Sequence, residues 1–315
     1  MKKRIIAVLL GLLICVSLGG CGTSSDTSTG QDDKGGMAYE YSSLDVLMMM
    51  FDKVGVKPYE TINVLDEKAG EQQLNYQNML AQNQEEIKVE GYISGATTVP
   101  MMMPSTQNIT VLQFKDNRNF EKYKKAMKGI MYSGVCVSPS EESVHIIENG
   151  NFICYISVES HEGDRGDEFE KAFKELDLTV KPEYNDDTTL DKAMTIYNQH
   201  KENYDISELN VDPMSVYTIN PSFAENKKYD FTEEDLEDGY FIRSKVDYSQ
   251  LDKPLGFSAY VVKVKNPDKI NLVKEAVEEA SKVEGYENKF FISKDVEVKV
   301  ELEGNYVILI AKKDK

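Results

Sequence analysis

Tryptophan is absent from this sequence, and histidine occurs only three times and cysteine four times in 315 residues. Without tryptophan the chain lacks the largest aromatic platform for stacking a sugar, although its 18 tyrosines offer smaller ones. His145, His161 and His200 are scattered, and no cysteine pair has the spacing of a zinc framework, so neither a metal nor a cofactor is expected. Basic residues are scarce: 36 Lys and Arg stand against 54 Asp and Glu, for a net charge of −18. Such a surface repels nucleic acid and anionic lipid head groups and attracts cations or a basic partner. There is no glycine-rich phosphate loop and no serine on a nucleophile-elbow motif. Carboxylates are so numerous that nothing selects a pair for glycosidase chemistry. No catalytic residue is nominated. A long apolar run is missing too, since the longest, Ile5 to Leu18, falls short of the roughly 20 residues that span a bilayer.

That short run sits in a telling place. Met1-Lys2-Lys3-Arg4 gives it a basic start, and its length suits the apolar region of a secretory signal, about 7–15 residues. It ends in Leu18-Gly19-Gly20-Cys21, which resembles the bacterial lipobox. The resemblance implies cleavage before Cys21 and a diacylglycerol thioether, with a palmitate-type acyl chain, on that cysteine. Residues 1–20 are read as a lipoprotein signal peptide. Residues 21–37 are read as a flexible tether, because Gly22 to Gly36 carries no large apolar residue able to offset its ordering entropy. The expected location is the extracytoplasmic face of the cell membrane, held through lipid on Cys21. Cys15 leaves with the signal. Cys136 and Cys154 remain in an oxidising compartment, either bridged or as two buried thiols.

The folded part reads as one unit written twice. Ile109 to Lys115 and Ala259 to Lys265 are strand-like. Each precedes a helix, with Phe120, Tyr123, Met127 and Ile130 on one stripe and Ile270, Val273, Val277 and Ala280 on the other. Each helix precedes a hairpin turning at Gly150-Asn151 or Gly304-Asn305. In this register Cys154 stands where the second unit has Ile308, which reads as core. Ser43 and Thr189 are expected to cap an opening helix in each unit. Asp167 is expected to cap a helix through Leu176, with Glu170 closing a capping box. The expected fold class is α+β, in two tandem repeats, each an N-terminal helix plus a β-α-β-β unit with a helix packed on a small sheet. The boundaries are 38–181 for the first repeat, 182–188 for a linker and 189–315 for the second.

Several constellations invite a function and yield a plainer reading. Met48-Met49-Met50 on a helix point about 100° apart and cannot converge on one ion. Met101-Met102-Met103, between Pro100 and Pro104, suit an adaptable contact with an apolar partner better than a copper site. Arg165-Gly166-Asp167 matches an adhesion tripeptide only by letters. The acidic stretch Thr232 to Asp238 fits a capping box, Thr232 to Asp235, better than a calcium loop.

The order of lipobox, helix, Glu90-Gly91-Tyr92-Ile93-Ser94, methionine run, strand, lysine-rich helix and Gly150-Asn151-Phe152 hairpin resembles a family. It is the bacterial lipoprotein domain of unknown function common in low-GC Gram-positive bacteria. Tyr92 to Val158 carries the match, and Tyr240 to Ala311 a diverged second copy. The resemblance implies a small extracytoplasmic α+β domain and no chemistry. The function expected is a non-catalytic binding module at the cell envelope, with an envelope protein or peptide as partner. The alternatives are an envelope enzyme using paired carboxylates and a structural spacer.

Overall fold

The computed structural model of the chain describes residues 41–58, 61–75, 87–99, 108–128, 139–160, 163–180, 182–185, 187–212, 218–219, 228–244, 256–282 and 296–313. Cys21, Cys136 and Met101 to Met103 lie outside these residues, as do the signal and the tether. Among the described residues the elements run α1 (Ser43–Val54), β1 (Thr61–Leu65), α2 (Glu67–Asn75), β2 (Tyr92–Val99), β3 (Asn108–Phe114) and α3 (Phe120–Met127). Next come the hairpin β4 (Val144–Asn149) and β5 (Phe152–Ser157), the short pair β6 (Glu159–Ser160) and β7 (Gly163–Asp164), and α4 (Gly166–Lys174). The chain continues through α5 (Thr189–His200), β8 (Ile206–Asp212), β9 (Leu236–Ser244), β10 (Phe257–Val264), α6 (Ile270–Ala280), β11 (Glu297–Glu303) and β12 (Tyr306–Lys312).

Ten of the strands make one sheet in the order β11-β12-β10-β9-β8-β1-β2-β3-β5-β4, antiparallel throughout. The expectation of two tandem α+β repeats, each on its own small sheet, is therefore corrected. The reason lies in β1 and β8, in stretches where the sequence reading named no strand. Separate sheets would leave both as open edges with unpaired backbone groups. Instead they pair with each other, Thr61 opposite Asn210 and Ile62 opposite Leu209, and the sheet runs on without a break.

One face of the sheet is covered by α1, α4 and α5. Leu44, Leu47, Met48, Met50 and Phe51 of α1 share a single apolar core with Phe169 and Phe173 of α4 and Met194 and Ile196 of α5. Strand residues from Ile156 on β5 to Ile308 on β12 complete that core. The ring of Phe51 meets that of Phe169 edge-on, 5.2 Å between centroids. The opposite face carries two separate clusters. Leu74 of α2 and Phe120, Tyr123 and Met127 of α3 pack on Leu112, Phe114, Ile153 and Tyr155. Val273 and Val277 of α6 pack on Tyr260, Val262, Val307 and Leu309. Both hairpins turn where expected, with Gly150 and Gly304 at φ 60° and 56°, a conformation that disfavours a Cβ.

Between the two clusters the sheet is polar. Cross-strand partners run in one continuous row, Thr110–Thr97–Asn63–Glu208–Arg243–Ser258, over six adjacent strands. The row continues as Tyr155 and Ile146 at one end and as Ala311 and Val298 at the other. Thr110 Oγ1 and Thr97 Oγ1 are 2.7 Å apart, and Arg243 Nε donates to Glu208 Oε2 at 2.7 Å. Asn210 lies one step away, almost fully buried, and its Oδ1 has no hydrogen-bond partner among the described residues.

Candidate functional site

Concave space opens beside the N-terminal turn of α1. Ser42 caps this helix: its Oγ accepts from the backbone N–H of Asp45 at 3.2 Å, while Asp45 Oδ2 accepts from the Ser42 N–H at 2.9 Å. The cap is thus one residue earlier than the sequence reading placed it. Ser43 points inward instead, and docks α1 on β2 by donating from Oγ to the Ser94 carbonyl at 2.9 Å. The same shift occurs at α5, where Thr188 rather than Thr189 caps, paired with Asp191.

Asp45 is 5% exposed and lines a cavity of about 670 Å³. Pro182 and Tyr184 line one side; Thr195, Asn198, Gln199 and Lys201 line the other, from the outer face and end of α5. Tyr184 donates its phenol hydrogen to Asp45 Oδ1 at 2.7 Å. Burial first, then the adjacent Asp45 carboxylate, hold that phenol well above its ordinary range. Tyr197, under α5, is likewise pushed up to about 12, chiefly by burial. The Lys201 ammonium sits 5.5 Å from the centre of the Tyr197 ring, a cation–π contact at the cavity mouth.

Chemically, this lining is a set of fixed hydrogen-bonding groups. The two carboxylate oxygens of Asp45 are occupied by the cap and by Tyr184, and both phenols keep their protons at neutral pH. Among the described residues that line the cavity, Asp45 is the one carboxylate. The sequence reading did not single out these residues. Thr195, Asn198 and Gln199 recur at i, i+3 and i+4, which puts uncharged polar groups on one helix face in an otherwise charge-rich chain. That was the legible signal.

The other nominated residues fall elsewhere. Met48 and Met50 are buried in the main core and Met49 packs against it. Cys154 is a fully buried free thiol on β5, and burial raises its pKa far from the thiolate range. Arg165 is bound to Glu168 at 2.5 Å. Thr232 and Asp235 do form a capping box, and Glu237 and Asp238 pair with Lys263 and Lys57 at 3.3 and 2.7 Å. Asp167 caps nothing: the residue before α4 makes no side-chain cap, and Asp167 and Glu170 both face His145. Among the described residues, no helix is long and apolar enough to cross a membrane.

No family model matches the chain, and no curated protein does. Two solved structures, crystal forms I and IV of TP0453, are similar to it over 82% and 81% of this chain and 90% and 89% of theirs. They are 10% and 11% identical, with TM-scores of 0.35 and 0.31, a likeness too slight to carry a reading of function.

Proposed function

We propose that the protein is a lipid-anchored, extracytoplasmic, non-catalytic binding module. Its cavity beside α1 and α5 takes a neutral envelope component rich in hydroxyl and amide groups, a short glycan or peptide. The observation that carries this reading is the cavity lining. Thr195, Asn198 and Gln199 on α5, with Asp45 on α1 and its partner Tyr184 in the connection before α5, present polar groups to a space of the size that holds a small ligand. The lipobox-like segment ending at Cys21 supports the location.

Two measurements test it. Calorimetric titration of the detergent-purified full chain with soluble cell-wall fragments is expected to show saturable binding. Asn198→Ala with Gln199→Ala is expected to weaken that binding at least about tenfold, the loss of one or two hydrogen bonds to a buried partner. Equal affinity in the double variant, or no binding by the parent chain, overturns the cavity as the site. Separately, Cys21→Ser is expected to move the chain from the membrane fraction to the medium or soluble fraction; retention in the membrane contradicts the lipid anchor.

A further inference from the structure

A second cluster of reactive side chains, which shares no residue with the cavity lining, lies at the β4 edge of the sheet. His145 stands on β4, the terminal strand, and α4 passes over it. Glu170 Oε2 binds His145 Nδ1, and Lys174 closes on the other oxygen of the same carboxylate. The remaining nitrogen, Nε2, faces Asp167 Oδ1 across 3.9 Å. The three residues each offer a donor atom, all within 4.8 Å of one another. The imidazole is 14% exposed and Glu170 24%, whereas Asp167 is 98% exposed and free to turn.

Gly166 lets the imidazole approach α4 closely. A Cβ there would stand 2.5 Å from His145 Nε2 and 3.0 Å from Asp164 Oδ1. The absent side chain thus lets the edge of the imidazole, with Nε2 and Cδ2 at 2.5 and 2.7 Å from that position, pack directly against the start of α4. Its backbone has an ordinary negative φ, so the glycine is needed for room and not for conformation.

We propose that His145 and Asp167 bind a divalent transition-metal ion of the zinc class, with Glu170 as the carboxylate that orients the imidazole. The donor chemistry fits. Imidazole with carboxylate oxygen suits zinc and its neighbours, at about 2.0–2.2 Å, and water fills the remaining positions. A metal-binding histidine commonly gives its other N–H to a carboxylate, which fixes the tautomer and aims the free nitrogen. Glu170 holds Nδ1 in that way, and Lys174 balances its charge. Asp167 needs only a rotation of an unhindered side chain to bring its oxygen toward an ion on Nε2. The chain's excess of acid raises the local cation concentration in support.

The test uses zinc alone, titrated into the detergent-purified full chain against a competing zinc indicator. One zinc per chain is expected. Gly166→Ala, whose Cβ would push the imidazole out of place while changing no donor, is expected to abolish binding, as is Asp167→Asn, whose exposed side chain cannot unfold the protein. Glu170→Gln is expected to weaken binding roughly 10- to 100-fold, the usual effect of losing an orienting partner. Excess magnesium is expected not to displace the zinc. Zinc binding that survives both Gly166→Ala and Asp167→Asn overturns the proposal, and so does displacement by magnesium or the absence of binding in the parent chain.

Discussion

Single side chains here show how burial, more than sequence neighbourhood, decides chemistry. His200 closes α5 with its ring 4.7 Å from Phe257 and 6.2 Å from Tyr204. Burial first, and then the Lys312 ammonium, lower its pKa below the ordinary value of 6.5. The unfolded chain therefore binds a proton that the native one resists, and stability must fall as pH drops through the ordinary histidine range. Melting temperature is expected to decline between about pH 7.5 and about pH 5.5, above the range where carboxylates titrate. His200→Phe, which keeps the ring contacts, should flatten that part of the curve; an unchanged slope would show that another group is responsible. Glu170 behaves in the opposite sense. Lys174 chiefly, and His145 after it, lower its pKa, so its contribution persists at neutral pH and is lost only in acid. Cys154 was legible from the sequence because its register partner is Ile308, a purely apolar residue. The Asp167–His145 approach was not, because Asp167 and Glu170 also spell a helix cap, and three-residue spacing cannot distinguish the two roles.

Elements were more legible than the positions of their ends. The apolar stripe of α6, and that of α3 as far as Met127 (Ile130 lies outside the described residues), follow from periodicity, and the glycine turns of both hairpins from the conformational freedom of glycine; each is where those signals placed it. The helix caps were misplaced by one residue, at Ser42 and at Thr188. Consecutive Ser42-Ser43 and Thr188-Thr189 offer two hydroxyls each, and only the packing of the second one inward decides the matter. Ser42→Ala is expected to cost about 1 kcal/mol of stability, read from chemical denaturation, since it removes the reciprocal cap of α1. Ser43→Ala acts differently, by loosening the contact of α1 with Ser94 on β2. If Ser42→Ala were neutral, water would have to satisfy that helix end as well as the hydroxyl does. β1 and β8 were missed as elements. β1 is only five residues long, and along β8 the polar Glu208 and Asn210 interrupt the apolar residues, which hides strand character behind a loop-like composition.

The molecule as a whole departs most from what its sequence suggests. Similar strand–helix–hairpin strings invited a division near residues 182–188, yet pairing between remote strands has no local signature. A single core reaching from α1 to β12 should make residues 41–313 unfold together. Guanidinium denaturation followed by tyrosine fluorescence and by far-ultraviolet circular dichroism is expected to give coincident, single transitions. Two separated transitions would show that the β1–β8 junction is weaker than the contacts on either side of it. An open sheet also has two rims, and one of them is β11. Along it Glu297, Lys299, Glu301 and Glu303 alternate with Val298, Val300 and Leu302, so every second outward position is ionised. Charge on a rim discourages a second chain from adding its own strand. Where copies of the chain are concentrated and neighbours meet often, a charged rim of this kind disfavours the edge-to-edge growth that would turn an open sheet into a fibre.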